Sequence, residues 1–149
     1  PIIRTNFINA EIIKLALNSY ITTKITFANI IARICENIPG ADAEIITNTL
    51  GLDSRIGKKF LKGAIPYGGP CFPRDNLAFQ HFIKSLNLPI AINLPLVVHQ
   101  LNELQVDYFV KFLSSIIKNK KRLYLSFNGW PVDCIWFLLS FADFFNTIF

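Results

Sequence analysis

The stretch Ile65-Pro66-Tyr67-Gly68-Gly69-Pro70-Cys71-Phe72-Pro73-Arg74-Asp75 sets one cysteine between a Gly-Gly pair and a Pro-Arg-Asp sequence. The latter reads as the start of a helix from about Arg74 to Ser85. A thiol in such surroundings is activated, because backbone N–H groups and the positive end of the helix dipole favour negative charge. Arg74 adds a nearby cation. Gly68 and Gly69 carry no Cβ, so a ligand can approach the backbone beside the sulfur. The alternative is a turn whose cysteine fills a small apolar hole, since free cysteine is among the most buried residue types.

Upstream, Asn9-Ala10-Glu11 opens a segment to Glu36 with no Pro or Gly. Ile13, Leu17, Ile21, Ile25, Ile31 and Ile34 recur in it near helical spacing, which predicts one long helix. Lys14 and Asn18 are four apart and share a face, either as a solvent-facing pair or as partners in a site. Asn37-Ile38-Pro39-Gly40 ends this helix. A shorter helix is expected from about Asp42 to Leu50, capped at Gly51. Roughly twenty residues of weak periodicity then lead into the cysteine stretch, a length that in compact domains usually serves function.

Downstream, Asn87-Leu88-Pro89 makes a turn and a second long helix is expected from about Ile92 to Lys118, with Pro95 tolerated in its first turn. Arg122 to Ser126 alternates as a short strand, Asn128-Gly129-Trp130-Pro131 is a turn, and Cys134 to Phe149 reads as a helix. The expected fold is mainly α. The Ile92–Lys118 helix would be its spine, with the first long helix packed on it and a strand-turn-helix stub following.

The 149 residues suffice for one ordinary domain. A net charge of +5 suits an anionic small molecule. The densest basic run, Lys118 to Arg122, lacks the interleaved aromatics of a nucleic-acid surface, so neither nucleic acid nor membrane is an expected partner. Cys134 to Phe149 is apolar but carries Asp143 and falls short of the roughly 20 residues a spanning helix needs. Three widely spaced cysteines, Cys35, Cys71 and Cys134, form no metal-ligand pattern and fit a reducing cytoplasm. Hydrophobic content of 52% with 14 phenylalanines implies surface that something else covers.

Glu11-x-x-Lys14-x-x-x-Asn18, Asn29, Asp53-Ser54-Arg55-Ile56-Gly57, the Tyr67–Asp75 stretch and Asn102-x-x-Gln105 resemble, in order and spacing, the central domain of the UDP-glucose/GDP-mannose dehydrogenase family. The resemblance covers about residues 8 to 110. Phe72 after the cysteine favours the UDP-glucose branch. It implies NAD-dependent, two-step oxidation of a nucleotide-sugar primary alcohol to a carboxylate through a cysteine thioester.

By the same resemblance, Cys71 is the nucleophile, Lys14 and Asn18 stabilise the oxyanion, and Asp75 orients Lys14 and the attacking water. Phe60, Leu61, Tyr67, Gly68 and Gly69 would wrap the substrate. Arg55 would reach the sugar site of a neighbouring subunit, Arg74 would meet the cofactor, and long helices would pair two chains. Residues 1–118 are then the central dimerisation and catalytic-cysteine domain, and 119–149 the truncated start of a UDP-binding domain.

This sequence departs from the family at Ile30, where an acidic residue is usual, and at Ser126 to Pro131, where Gly-x-x-x-Lys-Pro is expected. No Gly-x-Gly-x-x-Gly fingerprint for NAD is present, so the chain alone is expected to be inactive, as a middle fragment of the enzyme. The alternative is a non-catalytic helical dimerisation module of the same descent.

Overall fold

The computed structural model describes residues 2–63 and 65–117. Among them are four helices and no strand: α1 (Phe7–Glu36), α2 (Ala43–Leu52), α3 (Phe72–Ser85) and α4 (Asn93–Ile117). The expected strand-turn-helix at 122–149 lies outside the described residues.

Each helix is bounded by local chemistry. Asn6 caps α1 by accepting the Asn9 N–H at 2.8 Å, which starts the helix two residues before Asn9. Asp42 caps α2 by accepting from Glu44 and Ile45. Gly51, expected as the cap after this helix, lies inside it instead. It is buried, and a Cβ there would stand 3.0 Å from the Lys58 backbone. Its use is close approach, and Asp53 takes the cap position. Pro73 occupies the first turn of α3, where a missing N–H leaves no broken bond.

The spine differs from the expectation. It is α1 that touches all three other helices, while α4 touches α1 and α3, and α2 touches α1 alone. The reason lies in which face of α1 is buried. Asn18, Thr22, Thr26 and Asn29 recur at helical spacing and all lie inside, whereas Ile13, Leu17 and Ile34 of the apolar series are exposed. Small polar side chains let α3 and the chain before it come close.

Gly63 shows how close. A Cβ on it would meet the Ala28 carbonyl oxygen at 2.4 Å and the Ala32 Cβ at 2.7 Å. At the far end of α1, Arg33 stacks over the Tyr108 ring of α4, 3.1 Å from its centre, and pairs with Glu36. The Tyr108 hydroxyl donates to that same carboxylate at 3.0 Å. The surplus of hydrophobic residues is visible at the surface, where α1 exposes Ile12, Leu17, Tyr20 and Ile30 and α4 exposes Val97, Leu104 and Phe112. Among the described residues no helix is long and apolar enough to cross a membrane.

Candidate active site

Cys71 is the N-cap of α3 and makes no side-chain capping bond. It is exposed, which sets aside the apolar-hole alternative, whereas Cys35 is buried. The Asp75 N–H donates to the Cys71 carbonyl at 2.8 Å. The two residues therefore stand one turn apart on one side of the helix.

The Asp75 side chain is 8% exposed and gathers three donors from two helices. Lys14 Nζ donates to Oδ2 at 2.8 Å and Asn18 Nδ2 to the same oxygen at 2.6 Å, while Arg74 Nε reaches Oδ1 at 3.3 Å. The Lys14 hydrogen bond is the main cause that holds the Asp75 carboxyl below the usual carboxylate range. Desolvation opposes it, and Asn18 and Arg74 add to it. Lys14 and Asn18 are thus not a solvent-facing pair. Asn18 is buried, and Lys14 keeps its side chain 59% exposed. An ammonium has three donors and an amide nitrogen two, so each retains an N–H beyond the one given to Asp75.

The irregular stretch before the cysteine is held by Asn29 and Asn102, which the resemblance picked out without assigning them a role, and by Thr22 and Asn76, which the sequence reading did not single out. Tyr67 is 2% exposed, and its hydroxyl accepts from Asn76 Nδ2 at 2.9 Å. Thr22 of α1 donates across to Asn76 Oδ1 at 3.2 Å. Burial pushes the Tyr67 phenol up to about 12, the Asn76 bond pulling the other way and Glu103 raising it further. Asn29 donates to the Ile65 carbonyl, and Asn102 of α4 accepts from the Tyr67 N–H and donates to the Tyr67 carbonyl. The Thr22–Asn76 pair has one sequence signal: small polar residues recurring at helical spacing at 18, 22, 26 and 29.

The expected substrate residues divide. Phe60 is exposed and takes a left-handed backbone conformation at φ 64°, uncommon for a residue with a Cβ. Leu61 and Tyr67 turn their side chains into the core, so what they can offer a ligand is backbone. Gly68 is buried, and Gly69 has φ 79°, which a glycine adopts at no steric cost. Arg55, with its side chain 86% exposed, folds back on Asp53 in a two-pronged ion pair. Arg74 is exposed beside Asp75.

Two other features lie apart from this cluster. A groove of about 600 Å³ between α1 and α4 is lined by Ile30, Ile34, Leu101 and Tyr108, with Asn29 and Asn102 also on its wall. It includes no residue of the Lys14–Asn18–Asp75 cluster. Among the described residues no group of three His, Cys, Asp or Glu could hold a metal ion.

Residues 8–103 match the UDP-glucose/GDP-mannose dehydrogenase family, central domain. The chain is 43% identical over 129 residues to UDP-glucose 6-dehydrogenase TuaD of Bacillus subtilis, covering 87% of this chain and 27% of that one. It is 50% identical over 100 residues to YwqF, a UDP-glucose 6-dehydrogenase of the same organism, covering 62% and 22%. Among solved structures, a UDP-glucose dehydrogenase from Pyrobaculum islandicum superposes with a TM-score of 0.66 at 34% identity, over 74% of this chain and 25% of the other. The chain thus spans about a quarter of the length of the relatives it matches. With residues 8–103 matched by the family's central-domain model and 43% identity over 129 residues to TuaD, the chain belongs to the UDP-glucose/GDP-mannose dehydrogenase family.

Proposed function

We propose that this chain is the catalytic-cysteine segment of a UDP-glucose 6-dehydrogenase, which oxidises the primary alcohol of the sugar to a carboxylate in two steps. The observation that carries this reading is the convergence of Lys14, Asn18 and Asp75 at the start of the helix that Cys71 caps. The described residues contain no strand and no Gly-x-Gly-x-x-Gly turn, so they do not fit NAD, and Arg74 is the one position here expected to meet it. Residues 1–118 act as the central domain and 119–149 as the beginning of a UDP-binding domain.

The chain's own residues supply the covalent chemistry. Cys71 sulfur adds to the sugar aldehyde carbon, and the carbonyl π pair moves onto oxygen. The spare N–H groups of Lys14 and Asn18 stabilise that oxyanion, the ammonium by charge and the amide by a hydrogen bond. NAD, implied by the resemblance, would supply the hydride acceptor that takes this adduct to the thioester; water then adds to the acyl carbon, the C–S bond breaks, and the thiolate leaves. Asp75 holds Lys14 in place throughout and orients the water. Glycine backbone at 68–69 lies beside the sugar and phosphates, and Arg55 serves a neighbouring subunit once released from Asp53.

Pairing of two chains through the exposed apolar faces of α1 and α4 completes the reading. Light scattering that shows a strict monomer at tens of micromolar counts against the pairing.

The catalytic part is tested by grafting residues 8–103 in place of the matching segment of TuaD and following NADH formation with UDP-glucose. The graft is expected to turn over, Cys71→Ala to abolish turnover, and Lys14→Ala to slow it by ~10²–10³-fold, the usual effect of removing an oxyanion donor. Undiminished turnover by the Cys71→Ala graft would sink the reading.

A further inference from the structure

The segment Ile65–Tyr67 is buried yet belongs to no helix or strand. Its backbone N–H and C=O groups therefore need partners that no ladder supplies. Asn102 provides two of them through one side chain: its Oδ1 accepts the Tyr67 N–H at 2.8 Å and its Nδ2 donates to the Tyr67 carbonyl at 3.0 Å. An amide used in this way stands in for a neighbouring strand. Tyr67 is held at its other end as well, by Asn76 of α3, the helix that Cys71 caps. Asn102 itself is 3% exposed, and α4 contributes nothing to the cluster around Asp75.

We propose that Asn102 is a positioning residue for Cys71: the two-bond clamp on Tyr67 fixes the start of the Tyr67–Cys71 connection, and with it where the thiol stands. α4 thereby takes part in the site without touching it. Any shift of α4 along α1 carries Asn102 and the Tyr67 backbone with it. This positioning role rests on the reading of Cys71 as the reacting group, and the test separates the two.

The test uses the whole chain and compares the parent with Asn102→Ala and Asn102→Asp. It follows amide hydrogen exchange at Tyr67 and iodoacetamide labelling of Cys71, with Cys35 and the interior amides of α1 as reporters of global opening. Asn102→Ala is expected to speed Tyr67 exchange about tenfold or more, the net effect of two lost hydrogen bonds. It should change Cys71 labelling by at least about threefold, while the α1 amides and Cys35 change less than that, because the opening is local.

Asn102→Asp adds a signature that space-filling alone would not produce. Its ionised carboxylate still accepts from the Tyr67 N–H but turns an oxygen toward the Tyr67 carbonyl, and protonation restores a donor. Its excess Tyr67 exchange over the parent at equal pH should therefore shrink as pH falls. Four results would overturn the proposal: Cys71 labelling in Asn102→Ala changed by less than about threefold from the parent; Tyr67 exchange in Asn102→Ala within about twofold of the parent; Tyr67, α1 and Cys35 all accelerating by one factor; or no pH dependence of that excess in Asn102→Asp. Failure of the functional reading looks different: in the parent, Cys71 labels no faster than Cys35 while Tyr67 stays protected.

Discussion

Lys14 and Asp75, 61 positions apart in the chain, meet at 2.8 Å between Nζ and Oδ2, and Asn18 shares that oxygen at 2.6 Å. The contact joins the N-terminal half of α1 to the first turn of α3 and fixes the carboxylate one turn from Cys71. Its two ends are unequal. The carboxylate is buried and the ammonium largely open, so the two partners should respond differently to replacement.

Asp75→Asn keeps the shape but removes the charge and turns an amide toward donors. A loss of about 1.5–3 kcal/mol is expected, the net value of hydrogen bonds to a charged group. Lys14→Ala should cost less than about 1 kcal/mol, because the ammonium is mostly solvated and an exposed partner gains little. Urea denaturation of both variants, and of the pair together, measures the difference. Equal losses would show that the burial asymmetry has no energetic consequence.

Acid should weaken the fold through the same carboxylate. The folded-state pKa of Asp75 is depressed, so its contribution to stability is present above the unfolded-state pKa and is lost as pH falls through the folded value. Stability measured from pH 6 downward, starting near the ordinary carboxylate value of about 3.9, should fall more steeply in the parent than in Asp75→Asn. Parallel curves would exclude Asp75 as a source of the acid slope.

Alkali should act through Tyr67. Its phenol is raised from 10.0 to about 12 in the folded state, so the folded chain holds this proton more tightly than the unfolded one. Stability is then intact below pH 10 and declines as pH rises toward 12. Tyr67→Phe should flatten that decline, at a cost near neutrality of about 1–3 kcal/mol from leaving the buried Asn76 amide without its partner. A phenolate absorbance titration of the parent against Tyr67→Phe gives a second check, since the difference should rise near pH 12.

Gly63→Ala should destabilise by about 1–3 kcal/mol, because the new methyl has to displace the Ala28 carbonyl and the Ala32 side chain of α1. Thermal unfolding is the measurement. An unchanged midpoint would mean that the chain before the cysteine loop can move off α1 freely, in conflict with its close approach.

Local chemistry in the sequence was enough to place the four helices but not all their ends, since α1 starts at Phe7 rather than Asn9 and α2 runs through Gly51 to Leu52. The run without Pro or Gly before Asn37, the start near Asp42, and proline in the first turns of α3 and α4 each act within a few residues, so they can be read in a short window, whereas the cap at Asn6 emerged only from the structure. The spacing of Lys14, Asn18, Cys71 and Asp75 likewise pointed to the family. Tertiary structure alone decided which face of α1 is buried. Apolar periodicity favours the Ile13–Leu17–Ile34 side, but three of the four stripe residues find partners 36 to 57 positions away: Asp75 for Asn18, Asn76 for Thr22 and the Ile65 carbonyl for Asn29. Burying polar groups is favourable only when such partners arrive together, and no local pattern encodes that arrival. The same holds for Asn102, whose hold on the Tyr67 backbone spans 35 positions and exists only because α4 packs beside the loop.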